Sequence, residues 1–205
     1  MNRQLAQILS YAFHPGVMPT LGLFLLLQGD NYLKYSIGAT TKNFLYLIIF
    51  LNTYLFPALI VLIMRYRNAI SSLQLIDRKE RVIPMAVASF FYLLTYLLIK
   101  KLTLPGVLSD MFFGLALSVF AVFFITLRYK ISAHMTGIGG LIGAFVGFQV
   151  LFGAQLAPWV VLLVLVWGVI GTARLKLEAH SNGQIVAGSM LGFTCIFFSI
   201  LAGLG

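Results

Sequence analysis

Three short stretches of this 205-residue chain gather side chains that can bind an anion and move protons. The first is Asp77-Arg78-Lys79-Glu80-Arg81-Val82-Ile83-Pro84. The second is Ser132-Ala133-His134-Met135-Thr136-Gly137, just after Arg128 and Lys130. The third runs from Arg174 and Lys176 through Glu178, His180 and Gln184 to Gly188. Guanidinium forks, a hydroxyl and amides at a helix start, and two histidines suit a tetrahedral phosphate. Arginines neutralise its oxygens and hold on more strongly as charge develops in a trigonal-bipyramidal transition state. One imidazole can attack phosphorus while the other protonates the departing oxygen. A metal route lacks material: the acids Asp77, Glu80 and Glu178 are scattered among cations, and three histidines are few for a zinc site. No metal and no cofactor are therefore expected.

Taken singly, each stretch has a plainer reading. The first resembles a basic loop anchored to headgroups, and Ser132 is placed as a helix N-cap. In the third, His180, Gln184, Gly188 and Gly192 recur at four-residue steps, a stripe that faces neighbouring helices rather than lipid. What joins the three is the parity of the elements between them.

With 60% hydrophobic and 9% charged residues, the chain has too little polar surface for a water-soluble domain of its size. A soluble enzyme, a basic nucleic-acid-binding domain and a disulfide-stapled secreted module are excluded together, and Cys195 has no partner for an internal disulfide. The apolar runs predict an all-α polytopic membrane protein of six or seven spans, forming one integral membrane domain over residues 1–205: about Phe13–Gln28, Phe44–Tyr66, Ile83–Ile99, Gly106–Leu127, Met135–Phe152, Ala157–Thr172 and Gln184–Leu204. The first is the weakest, because Pro15 and Pro19 interrupt it. Met1–Tyr11 is polar and mildly amphipathic and lacks the marks of a removable signal peptide. Gly139, Gly143 and Gly147, and again Gly188 and Gly192, have the spacing that lets helices approach closely in lipid.

Two spans separate the first cluster from the second, and two more separate the second from the third, so all three emerge on one face, side A. That side holds Arg3, Arg65, Arg67, Arg78, Lys79, Arg81, Arg128, Lys130, Arg174 and Lys176; Lys34, Lys42, Lys100 and Lys101 lie on side B. The positive-inside rule would put side A in the cytoplasm. Without the arginines and lysine that a phosphate would need, the bias disappears. His14, beside Pro15, reads as an interfacial histidine in a proline kink, and Asp110 as a helix-start carboxylate.

Order, spacing and parity of these residues resemble the type 2 phosphatidic acid phosphatase superfamily, related to the vanadium haloperoxidases. Family members carry Lys-x6-Arg-Pro, Pro-Ser-Gly-His and Ser-Arg-x5-His-x3-Asp. Here stand Arg-Val-Ile-Pro at Arg81–Pro84, Ile-Ser-Ala-His at Ile131–His134 and Ala-Arg-x5-His-x3-Gln at Ala173–Gln184. The similarity covers about residues 77–192, the phosphatase-like core. It implies that His180 is the nucleophile, forming a phosphohistidine, and that His134 protonates the leaving group. It also implies that Arg81, Ser132, Arg174 and the Ala133 amide bind phosphate. The family lysine has no match, since Gln74 stands seven positions before Arg81, and Arg78 or Lys79 can substitute from a different place. Gln184 replaces the family aspartate: an amide can orient His180 but supplies no charge.

The expected function is a metal-independent lipid phosphatase acting on a phosphomonoester or diphosphate. A site on helix ends is reached from within the leaflet, so the expected partners are membrane lipids and a phospholipid or polyprenyl phosphate substrate, with no nucleic acid. The alternative is a catalytically silent phospholipid-binding or transport protein on the same fold, which Gln184 favours. The resemblance implies a bacterial inner membrane with the site facing the periplasm.

Overall fold

The computed structural model describes every residue except Gln74 and Ile76, and the described residues form helices and connecting turns without a strand. Six helical segments are long and apolar enough to cross a membrane, and each follows a predicted run. The first comprises α4 (Ala39–Phe50), a π-helical turn (Leu51–Leu55) and α5 (Phe56–Tyr66), continuous over 28 residues. The others are α6 (Val82–Lys100, entered through a 3-10 turn at Lys79–Arg81), α7 (Gly106–Thr126), α8 (Ala133–Phe152), α9 (Ala157–Lys176) and α10 (Asn182–Ala202).

The run Phe13–Gln28 is not a seventh span. Its first residues, with Pro15 and Gly16, form a turn between α1 (Arg3–Ala12) and α2 (Met18–Gln28), so only α2 lies within the run. At 11 residues, α2 is about 16 Å long, half of the roughly 30 Å of hydrocarbon. A short α3 (Tyr32–Ser36) follows on side B.

Alternation then sets the ends. Side A carries the starts of α6, α8 and α10 together with the last turns of α5, α7 and α9, so the three predicted clusters share one end of the bundle. Glycines bring α8 and α10 into backbone contact. A Cβ at Gly143 would sit 2.5 Å from the Phe193 carbonyl oxygen and one at Gly188 2.7 Å from that of Ser132, while Gly139 and Gly192 leave no room against Ser189 and Thr136. Gly114 brings α7 equally close, 2.7 Å from the Cys195 carbonyl oxygen. Backbone approach of this kind is how helices associate in lipid, where burial of apolar surface offers no net drive. The indole N–H of Trp167 donates to Ser189 Oγ at 2.7 Å, tying α9 to the same pair.

Candidate phosphate site

Because α8 and α10 run parallel and in contact, their N-termini lie side by side, and the third cluster is folded back onto them. After α9 the chain turns through Glu178, whose φ of 53° is left-handed, and re-enters a helix at Ser181, which caps α10 in a reciprocal box with Gln184. His180, one residue before the cap, is thereby buried, at 8% exposure.

Its ring orientation follows from donor and acceptor chemistry. The Ser181 N–H donates to Gln184 Oε1 at 3.2 Å, which fixes the amide oxygen on that side. His180 Nδ1 lies 3.0 Å from the same oxygen and must therefore carry the proton. Nε2 keeps its lone pair. Burial first, then the charges of Arg81 and Arg174, lower the His180 pKa to about 3, against a smaller opposing effect of the Gln184 bond. At neutral pH the imidazole is uncharged, the form a nucleophile requires.

His134 stands in the first turn of α8. Its Nε2 lies 3.0 Å from the backbone carbonyl oxygen of Ser10 in α1. A carbonyl only accepts, so Nε2 is the protonated nitrogen in the uncharged ring, and Nδ1 is the position left for proton transfer. The N–H groups of Ala133 and His134, at the positive end of the helix, have no partner among the described residues.

Arg81 ends the 3-10 turn before α6 and is 7% exposed. Arg174 sits in the last turn of α9, where one of its terminal nitrogens donates to Ser10 Oγ at 3.2 Å and its buried Nε finds no partner. Lys130, in the α7–α8 connection, has its pKa lowered by burial and then by Arg81 and Arg174. These three cations border one cavity with His134, His180, Ala133 and Glu178. Among the described residues no cation lies within 4 Å of a carboxylate: Glu178 borders the cavity from an exposed position, and the other four acids are engaged elsewhere. Asp77 accepts from the Lys79 N–H, Glu80 from Ser71, Asp30 from Tyr35 and Asp110 from the Gly205 N–H. Partly buried cations without counter-ions hold a site open for an anion.

Two predicted phosphate ligands are placed differently. Arg78 turns away and donates to the carbonyls of Thr126, at 3.0 Å, and Leu127, capping the end of α7. Ser132 is fully buried as the N-cap of α8, accepting from the Met135 N–H at 3.5 Å, and the cavity wall passes from Lys130 to Ala133 without it. Gln74, opposite the family lysine, lies outside the described residues. Sequence reasoning missed Ser10 and assigned His14 to the interface. Both border the cavity, and the signal for them was a polar stripe, Arg3, Gln7, Ser10 and His14, at steps of four, three and four.

Away from its cationic end the cavity, about 560 Å³ in all, is apolar. It passes between α2, α5, α6, α7 and α8, along residues such as Leu23, Ala88, Leu115 and Phe145. Ala133 and Phe145 both border it, so it follows α8 for about 18 Å, past the middle of the hydrocarbon. Leu59 and Leu62 of α5, 45% and 53% exposed, also border it, so it opens sideways towards lipid. Among the described residues no three His, Cys, Asp or Glu side chains gather in a way that could hold a metal ion. The chain matches no family model, no curated protein and no solved structure.

Proposed function

We propose that this protein is a metal-independent lipid phosphate phosphohydrolase that works through a phosphohistidine. One observation carries the reading: a single cavity has an un-neutralised cationic head flanked by two histidines and an apolar tail open to lipid. That polarity matches an amphipathic phosphate ester. The resemblance of the three clusters to the type 2 phosphatidic acid phosphatases supports it independently.

In this reading Arg81, Arg174, Lys130 and the first-turn amides of α8 bind the phosphate oxygens. His180 Nε2 attacks phosphorus, and the bond from phosphorus to the lipid oxygen breaks as that oxygen takes a proton from His134 Nδ1, which has first received it from the monoanionic phosphate ester on binding. Water, giving a proton back to His134, then attacks the phosphohistidine, releasing orthophosphate and restoring His180. The cations require no metal partner, since the guanidinium groups themselves meet the charge that develops at phosphorus. Candidate substrates are phosphatidic acid, phosphatidylglycerol phosphate and polyprenyl diphosphate. The proposed setting is a bacterial inner membrane with side A in the periplasm, which single-cysteine labelling across residues 77–81 will test.

Incubation of the detergent-purified protein with a panel of lipid phosphates in EDTA should release phosphate. No release from any of them would leave the second reading, a silent lipid-phosphate binder. Gln184 favours that alternative, because its amide accepts from Ser181 and His180 but supplies no charge to the imidazole.

A further inference from the structure

The N-terminal helix lies against this cavity in an unusual sense. Arg3, Gln7, Ser10 and His14 border it, Arg3 at the exposed rim and Ser10 buried, while Leu5 and Ile8 on the opposite side are 45% and 63% exposed. An interfacial helix ordinarily buries its apolar face in lipid and shows its polar face to water. Here the polar face is given to the site.

Ser10 is 7% exposed and makes two contacts there. Its hydroxyl oxygen accepts from Arg174 at 3.2 Å and its carbonyl oxygen accepts from His134 Nε2 at 3.0 Å. Arg174 is thus held at one nitrogen, with the rest of its fork, including the buried Nε, unspent among the described residues.

The chain leaves α1 by a pinned corner. Thr53 Oγ1 donates to the Gly16 carbonyl at 2.8 Å, and Tyr92 Oη donates to that of Pro15 at 3.3 Å. A Cβ at Gly16 would lie 2.6 Å from the Thr53 carbonyl oxygen, so the corner sits directly on the backbone of the π-helical turn. Such turns inside long helices often mark functional sites, and this one brings Tyr54 edge-on to the His14 ring, with centroids 5.3 Å apart. On its other side His14 meets His134, ring to ring at 6.0 Å. The Gly16 N–H donates to His14 Nδ1 at 3.2 Å, so the ring proton is on Nε2, where it has no partner among the described residues. Burial and then Arg174 lower the His14 pKa to about 4, which leaves the ring an uncharged donor at neutral pH.

We propose that the α1–α2 corner is a working wall of the phosphate site, in which Ser10 positions Arg174 and His134 and His14 donates its Nε2–H to an oxygen of the bound phosphate. This inference rests on the reading of the cavity as a phosphate site. Ser10 is a positioning residue, and His14 is a phosphate ligand.

The test pairs turnover of short-chain phosphatidic acid with binding of inorganic phosphate by calorimetry and inhibition by orthovanadate, all on the full detergent-solubilised chain. Ser10→Ala should lower kcat/KM about tenfold or more and raise the orthovanadate inhibition constant in step, and Ser10→Thr, which keeps the hydroxyl, should recover most of both. His14→Phe keeps the ring against His134 and Tyr54 but loses the donor, and should weaken phosphate binding about tenfold; His14→Gln should lose less. Ile8→Ala, on the lipid face, should change nothing. Thermal midpoints and gel filtration normalise every value to folded protein, so a merely structural effect would not move the inhibition constants. Wild-type turnover with Ser10→Ala and His14→Phe both within twofold of it overturns this inference and leaves the phosphatase reading standing. A wild type that neither binds phosphate nor releases it overturns both.

Discussion

The two halves of the bundle are built on different principles. In the second half, α8 and α10 touch through glycines with backbone against backbone, and α7 joins them through Gly114. In the first half, α2 spans only part of the bilayer, the first long span contains a π-helical turn, and a cavity of about 560 Å³ opens between α2, α5, α6, α7 and α8. The tight half carries His134 and His180 on adjoining helix starts. The loose half carries the apolar room and the α1 corner. A reaction at phosphorus needs its nucleophile and acid held to a fraction of an ångström, whereas a lipid chain needs space and a way in. On the proposed lipid phosphatase function, the division of packing between the halves follows the division of those tasks.

The sharpest way to break this contrast is to fill a glycine in the tight half. A Cβ at Gly192 would collide with the Thr136 carbonyl, backbone that cannot swing aside. Gly192→Ala is therefore expected to cost at or beyond the upper end of the roughly 1–3 kcal/mol of overpacking, seen as loss of monodisperse protein after extraction. Gly168→Ala in α9, where a new Cβ meets nothing within 4 Å, should be neutral or stabilising. Equal tolerance of the two changes would mean that the glycine seam does not hold the helices together.

Next in size are the histidines that the seam positions. His180→Ala and His134→Ala should each reduce turnover at least ~10⁴-fold with the folded fraction unchanged. Substantial turnover by either variant would refute the role assigned to that residue.

The loose half should respond differently. Ala88 and Ala144 border the apolar cavity, and Phe at either position would occupy part of it. We expect turnover of long-chain lipid phosphates to fall about tenfold or more while short-chain substrates are hydrolysed nearly as before, since only the uniform binding of the chain is lost. Loss that is the same for all chain lengths would show that the chain lies outside the cavity.

The sequence pattern carried the six spans and the convergence of three clusters, because hydrophobic length and the parity of connections are local properties that tertiary packing does not overrule. It could not separate Arg78 from Arg81. They stand three residues apart in an irregular connection, and the 3-10 turn at Lys79–Arg81 decides that one guanidinium enters the site and the other caps α7. Ser132 was ambiguous for another reason: a hydroxyl at a helix start serves as a cap or as a ligand with the same spacing, and here the cap wins. His14 was hidden by its neighbours. Pro15 and Pro19 signalled a break, but only the fold shows the break seated on Thr53, 37 residues later, with the polar stripe of α1 facing in.

The smallest effect concerns acid, and it tests whether His14 belongs with the two histidines of the tight half. An unfolded histidine titrates near 6.5; in the fold His14 is lowered to about 4 and His180 to about 3, each by burial first and neighbouring cations second. Protons therefore bind the unfolded chain more tightly. The uncharged rings cost nothing above pH 6.5, and stability falls as pH drops from there towards the folded values. Between pH 6.5 and 5 each ring can remove up to about 2 kcal/mol, given ~1.4 kcal/mol per pH unit. His14 is surrounded by Tyr54, His134 and Arg174, and His180 by Arg81, Arg174 and Lys130; the one carboxylate on the cavity wall, Glu178, is exposed and in no ion-pair contact among the described residues, so a new positive charge meets mainly like charge. Thermal midpoints in detergent should thus drop between pH 7 and 5 for the wild type, less for His14→Phe, and less again when saturating orthophosphate supplies the missing anion. A His14→Phe variant that loses as much as the wild type over this range would put His14 back at the water interface, outside the wall that the other two histidines share.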